Sequence, residues 1–265
     1  MSTVVFVHGL WLHASSWAPW AERFAAEGWN AHHPGWPGDS PTVAEARANP
    51  DRAGGFGISD VVRHYVELIA GLDAAEGPVV AVGHSFGGLI VQRLLAEGHV
   101  AGAVAIDPAP MRGNILLPPS SLKVASVALR NPANFRGSVT LTPDEFAYGF
   151  GNELTAEECA DLYERWTIPS PGRPLFEDAA ANILPGSPAT VDFDAERGPL
   201  LLVAGGMDHT VPASLTRTAY KLHRRNTAVV TDLVEYPDRG HSLTIDHGWT
   251  EVADTALAWL KEKGF

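Results

Sequence analysis

One cysteine, Cys159, occurs in 265 residues, so no disulfide can close within the chain and the composition suits a reducing compartment. Positive charge is scarce. Lys and Arg total 19 against 31 Asp and Glu, a formal charge of −12. A surface of that sign repels the phosphates of nucleic acid and of anionic membranes, and neither is expected as a partner. No apolar run approaches the roughly 20 residues needed to cross a bilayer. The first residues carry no basic leader and no apolar segment of signal length. Internal repeats, low-complexity tracts and blocks of like charge are absent. These features predict a cytoplasmic protein that handles a small molecule, built as one large core domain with room for an insertion.

What is present is organised around Pro78–Val91. A continuous run, Val79-Val80-Ala81-Val82, reads as a strand buried on both faces of a parallel sheet. Gly83-His84-Ser85-Phe86-Gly87 follows, and then an apolar segment at helical spacing. A chain that turns sharply from strand to helix brings its own backbone so close together that side chains at Ser85−2 and Ser85+2 would clash. Ser85 is thereby left at the apex, above the carboxyl end of the sheet. This is the pattern of a nucleophile elbow.

Strands and helices alternate on either side of it. Thr3–His8 and Trp29–His33 read as strands, with a helix between them started at Ser15/Ser16, and residues 42–58 read as a polar loop. Ser59 is expected to cap the next helix, and Val100–Ile106 is a further apolar strand. Gly198–Ala204 and Val229–Tyr236 follow, separated by a helix over Ser214–Arg225, and an amphipathic helix closes the chain. The alternation predicts an α/β fold with a mostly parallel sheet of about six strands and helices on both faces.

Acyl transfer needs a hydroxyl nucleophile, an imidazole to take its proton and a carboxylate to fix the imidazole tautomer. Ser85, Asp208 in Gly205-Gly206-Met207-Asp208 and His241 in Gly240-His241 each follow a predicted core strand. Their order is Ser, Asp, His, which is the triad order of α/β-hydrolases rather than of the common proteases. Asp107 also follows a strand and is the competing acid. Asp238 is assigned to a turn, His209 and His247 are competing bases, and His84 is expected to point away from Ser85. The backbone N–H groups of Leu10, in the early His8-Gly9 loop, and of Phe86 are the expected oxyanion donors. His8 is expected to hold its loop by hydrogen bonds to backbone. His8, His13, His32 and His33 have no carboxylate or thiolate at ligand spacing beside them, so no metal is expected, and no organic cofactor either.

With these motifs the chain resembles the α/β-hydrolase superfamily over essentially its whole length. Val7-His8-Gly9-Leu10-Trp11-Leu12-His13 together with the insertion looks like the small cofactor-free esterase and haloperoxidase/perhydrolase-like branches. The resemblance implies a carboxylic ester, lactone or thioester of a small apolar molecule as substrate. One departure is visible: the two strands that usually precede the His-Gly strand have no room here, which predicts six strands rather than eight. Ser85 argues against the epoxide-hydrolase and dehalogenase branches, whose elbow holds Asp.

Residues 1–109 and 197–265 are assigned to the α/β-hydrolase core, and 110–196 to an inserted four-helix lid. Its helices are expected over 120–130, after Thr142 and Thr155, each read as a capping box, and over 173–183. Aromatic residues of the insertion, with Trp11, suggest an apolar pocket, and Trp11, Phe135, Phe146, Phe150 and Trp166 are its candidate lining. The expected function is a serine hydrolase for a small apolar ester or lactone, working through an acyl-enzyme. The alternatives are a receptor-like ligand-binding protein and a cofactor-free lyase or perhydrolase.

Overall fold

The computed structural model describes residues 2–72 and 77–265. Six parallel strands form one sheet: β1 (Thr3–Val7), β2 (Asn30–His32), β3 (Val79–His84), β4 (Gly102–Ile106), β7 (Leu200–Gly205) and β8 (Thr231–Tyr236). Their spatial order is β2-β1-β3-β4-β7-β8, with Val5 opposite Ala81 and Ala103 opposite Leu200. β3, which leads into Ser85, lies inside the sheet, buried on both faces, which is why it reads as an unbroken apolar run.

Alternate residues of each strand feed two cores. On one face, Val4 and Phe6 of β1 pack with Trp17, Trp20 and Phe24 of the first helical segment and with Val252, Ala256 and Leu260 of α10 (Trp249–Glu262). Phe6 stacks on Trp17 with ring centroids 5.0 Å apart and meets Phe24 edge-on at 5.3 Å. On the other face, Val5 and Val7 pack with Val61, Val62 and Tyr65 of α3 (Ile58–Ala70) and with Leu89 and Ile90 of α4 (Phe86–Ala96). Full burial of such side chains contributes about 1.5–3 kcal/mol each.

Local starts differ from expectation in three places, each for a capping reason. His13, not Ser15/Ser16, begins the first helical segment: its Nδ1 accepts the Ser15 N–H, a short 3-10 turn follows over Ala14–Trp17, and α1 runs over Ala18–Ala26. Gly57 rather than Ser59 precedes α3, where the Asp60 carboxylate closes back on the Gly57 N–H at 3.0 Å. Residues 42–58 are not merely loop. They hold α2 (Val43–Ala48), because Thr42 Oγ1 accepts the Glu45 N–H at 3.2 Å. Thr42-Val43-Ala44-Glu45 carried that signal in the sequence.

Between β4 and β7 the chain forms α5 (Pro119–Leu129), α6 (Pro143–Gly149), α7 (Ala156–Trp166) and α8 (Arg173–Ala179). Thr142 and Glu145 cap α6 reciprocally, whereas Thr155 caps α7 without a return bond, since Glu158 reaches His247 instead. This segment is not purely helical: β5 (Ser138–Val139) and β6 (Ser170–Pro171) pair antiparallel. Arg47 of α2 fastens it to the core through the carbonyls of Tyr163 (2.7 Å) and Thr167 (2.9 Å). After β7 comes α9 (Ala213–His223). Among the described residues no helix is long and apolar enough to cross a membrane.

His223 at the end of α9 is buried with Nε2 2.9 Å from Gln92 Oε1 and Nδ1 3.4 Å from the Arg197 guanidinium. Burial, then the Arg197 charge, pushes its pKa down to about 3. A free histidine titrates near 6.5, so between those values the unfolded chain binds a proton that the folded chain refuses. Stability therefore falls as pH drops from 6.5 towards 3, by up to about 1.4 kcal/mol per pH unit from this residue. Urea unfolding at pH 7 and pH 5 should show His223→Gln losing less stability than the parent; equal losses would remove His223 as the cause.

Candidate active site

The elbow is a matter of backbone crowding. Ser85 has φ 56° and ψ −122°, a conformation that costs a residue with a side chain about 1–3 kcal/mol. Hydrogen bonds fix it there: its N–H donates to the Ile106 carbonyl at 2.9 Å, and its carbonyl accepts from Gly88 and Ala109, each at 2.9 Å. A Cβ on Gly83 would collide with the Gly87 carbonyl, and one on Gly87 with the Val7 carbonyl. Both glycines are therefore required by the close approach of backbone to backbone.

The His-Gly loop after β1 packs directly on Ser85. A Cβ on Gly9 would stand 2.7 Å from Ser85 Cβ and 3.3 Å from Ser85 Oγ. The next N–H groups differ in use. That of Trp11 donates to Ser170 Oγ at 2.6 Å, whereas those of Leu10 and Phe86 meet no acceptor among the described residues. Two donors without an acceptor thus flank Gly9 and Ser85 in the chain, one in each loop. His8 braces its loop from behind, with Nδ1 2.8 Å from the Gly9 carbonyl and Nε2 2.9 Å from the Asp39 carboxylate.

Asp208 and His241 are brought together by the turns after β7 and β8. His241 Nδ1 lies 2.6 Å from Asp208 Oδ2, and both side chains are fully buried. The other carboxylate oxygen accepts the N–H groups of Thr210 (2.6 Å) and Val211 (2.8 Å), which sets the acid's orientation. The His241 loop is tied down by the Arg239–Asp246 ion pair and by the Met207 N–H, which donates to the Arg239 carbonyl at 3.0 Å. His241 Nε2 is buried with no partner, and no hydrogen bond joins it to Ser85 Oγ. Such bonds are often long in free enzymes and tighten with substrate bound.

The competing assignments separate by position. His209 Nδ1 lies 3.0 Å from the Tyr148 carbonyl, His247 pairs with Glu158 at the surface, and Asp238 is exposed. His84 does not turn away from the site as expected. Its Nε2 donates to the His241 carbonyl at 2.9 Å, and the two rings lie 4.5 Å apart. The physical reason is a hydrogen bond between residues 157 positions apart, a contact no sequence spacing discloses. Burial and the neighbouring His241 hold the His84 pKa well below the ordinary value, so His84 is neutral.

Asp107 is also here, in a strained conformation at φ 40°, with Oδ1 accepting the Gly205 N–H at 2.7 Å. Burial, then the negative charge of Asp208, pushes its pKa well above the carboxylate range, so Asp107 takes up a proton. Two adjacent buried carboxylates cannot both ionise. Among the described residues, one group of three possible metal ligands occurs, His84, Asp107 and His241, with ligand atoms within 4.8 Å of one another. An ion bound there would occupy the ring that Asp208 orients, so acid–base use of His241 and metal binding exclude each other. His32 and His33 take no part in it.

A cavity of about 70 Å³ adjoins Ser85. Of the aromatic candidates, Trp11 lines it. Phe150 sits edge-on to His241 at 4.8 Å, and Phe146 stacks behind Phe150 at 5.0 Å. The structure does not bring Phe135 or Trp166 to this cavity. Phe135 packs on Phe176 and is 40% exposed, and Trp166 borders a separate surface depression with Trp249. Aliphatic residues, Val124, Leu175 and Leu215 among them, contribute to the wall instead, with three polar residues that sequence reasoning missed: Ser121, Asp178 and Thr210, whose hydroxyl donates to the Gly149 carbonyl at 2.8 Å.

The Alpha/beta hydrolase family matches residues 4–255, and the chain belongs to it. Three solved structures show the same fold. A monoacylglycerol lipase of Paleococcus ferrophilus is 20% identical, with TM-score 0.69 over 99% of this chain and 95% of that one. Polyneuridine aldehyde esterase is 17% identical, with TM-score 0.66 over 98% and 99%. A proposed non-heme bromoperoxidase of Mycobacterium tuberculosis H37Rv is 20% identical, with TM-score 0.72 over 100% and 94%. No curated protein matches the chain in sequence.

The two buried acids make different predictions. Asp208→Asn should cut kcat by about 10³–10⁴-fold, because the amide imposes the wrong imidazole tautomer. Asp107→Asn replaces a neutral acid by a neutral amide and should stay within about tenfold of the parent. Ester kinetics on the two folded variants decide the matter, and the reverse ranking would transfer the acid's role to Asp107.

Proposed function

We propose that this protein is a serine hydrolase that cleaves a small apolar carboxylic ester or lactone through an acyl-enzyme. One observation carries the reading: the buried 2.6 Å pair of His241 Nδ1 and Asp208 Oδ2. A carboxylate at Nδ1 keeps the ring proton there and leaves the Nε2 lone pair free, which is what a general base for Ser85 requires. Ser85 Oγ attacks the carbonyl carbon as its proton passes to His241. The negative charge that forms on the carbonyl oxygen is received by the N–H groups of Leu10 and Phe86, which need not reorganise to meet it. His241 returns the proton to the departing alkoxide. Water then attacks the acyl-enzyme with the same ring as base, and Ser85 is regenerated. Asp208 offsets the imidazolium charge in both halves, and His84 positions the ring by its bond to the His241 carbonyl.

Residues 110–196 act in this reading as the lid. The aliphatic cavity beside Ser85 favours an apolar acyl or alcohol group, and Trp11 and Phe150 bound the reacting centre. Family membership supports hydrolysis, and the lipase and esterase among the similar structures make ester cleavage the natural form of it.

Treatment with a fluorophosphonate, read by intact mass, should give one adduct on the parent and none on Ser85→Ala. Hydrolysis of p-nitrophenyl butyrate should fall at least about 10³-fold in the same variant. An adduct without ester turnover would favour the lyase, perhydrolase or receptor-like alternatives. Neither adduct nor Ser85-dependent turnover would overturn the reading.

A further inference from the structure

The cavity beside Ser85 is apolar on most sides, yet α8 contributes a carboxyl to it and α5 a hydroxyl. Asp178 makes no side-chain hydrogen bond and no ion pair among the described residues. Its charged neighbours are committed elsewhere: Arg173 Nε pairs with Glu177 Oε1 at 2.7 Å and its guanidinium reaches Asp60 at 3.5 Å. Glu177 Oε2 accepts the Ile58 N–H at 2.7 Å. Ser121 Oγ is buried and has no partner. Two polar groups without partners, on two facing helices, thus border the same small space.

Such groups weaken folding. Burial pushes the Asp178 pKa up to about 8, and the residue is half-buried where it lines the cavity. In the unfolded chain this carboxyl would ionise freely at pH 7, so its protonation on folding is unfavourable. A carboxyl unpaired beside a reactive centre marks a place where the missing partner comes with the ligand. The partner that satisfies both groups is a cationic donor. An ammonium has three donors and no acceptor, can pair with the carboxylate, and can donate to the Ser121 hydroxyl. The chain's net charge of −12 favours the arrival of cations over anions.

We propose that Asp178 and Ser121 form an ammonium subsite in the cavity beside Ser85, so that the preferred ester carries a protonated amine a few atoms from its carbonyl. This inference rests on the hydrolase reading and narrows its substrate class from apolar esters to small amino esters. Asp178 supplies the counter-charge, Ser121 accepts one N–H, and the aliphatic wall formed by Val124, Leu175 and Leu215 holds the connecting carbons. Asp178 determines specificity here and takes no part in the proton transfers at Ser85.

Isosteric substrate pairs test it. Methyl 3-aminopropanoate against methyl butanoate places the amine on the acyl side. 2-(Dimethylamino)ethyl acetate against 3-methylbutyl acetate places it on the alcohol side, with a single N–H that can serve Asp178 but not Ser121 as well. In at least one pair the parent protein should favour the amine by about 10- to 100-fold in kcat/KM, with the difference in KM, as expected for a charge-assisted hydrogen bond. Asp178→Asn should erase that ratio, and Ser121→Ala should reduce it by a smaller factor. Preference for the apolar member in both pairs, or a ratio that survives Asp178→Asn, would overturn the subsite. A second readout is independent of turnover: calorimetric binding of methyl 3-aminopropanoate and 2-(dimethylamino)ethyl acetate to Ser85→Ala, compared with Ser85→Ala/Asp178→Asn. Loss of amine binding at least tenfold in the double variant supports the subsite even if no ester is hydrolysed, which would sink the hydrolase reading alone. Equal binding of both amines by the two variants removes it.

Discussion

Ser85 stands at φ 56° and ψ −122°, and the surrounding structure is arranged to hold it in that unfavourable conformation. β3 delivers it at the carboxyl end of the sheet, α4 leaves from it, and Gly83 and Gly87 let three backbone segments meet where no side chain fits. The strain of one residue is outweighed by two cores, one on each face of the sheet, that fix the strands from which the elbow hangs. The same turn sets Ser85 at the N-terminus of α4, against the loop that carries Gly9. Loosening any of the strands would release the strain and move all of them together.

Behind the serine lies a buried polar cluster whose chemistry depends on having one negative charge and not two. Asp208 has two backbone donors and an imidazole to stabilise its charge. Asp107 has one backbone donor and a like charge beside it, so it stays protonated. Burial, then the charge of Asp208, thus separates two acids in equivalent places, each just past the end of a core strand. His84 completes the arrangement by holding the backbone of the residue whose ring must stay in register.

The insertion shows where sequence patterns stop. Capping boxes and helical spacing place its four helices within a few residues, because those signals are local. They say nothing of what faces the cavity. Phe135 and Trp166 read like pocket aromatics, yet Phe135 covers Phe176 and Trp166 is half-buried beside Arg165, away from this cavity. Ser121 and Asp178 read like ordinary exposed helix residues, yet they turn to the space beside Ser85. Four short helices can pack in many ways over a rim, and burial alone does not distinguish a residue that fills the insertion from one that contacts a ligand.

By itself the sequence determined the alternation of strand and helix, the elbow, and the order of Ser85, Asp208 and His241. The reason is physical: β3 is apolar because it is buried on both faces, and the glycines are glycines because backbone passes against backbone. Those constraints act over a few residues and leave a local imprint. Tertiary structure alone decided that Asp107, buried beside Asp208, takes up a proton, that His84 bonds the His241 carbonyl, and that an unpaired carboxyl borders the cavity beside Ser85. Each of these depends on the distance between groups remote in the chain, such as the 157 positions from His84 to His241, and on how much water reaches them. Coulomb interactions and desolvation fall off with distance in space, not along the sequence.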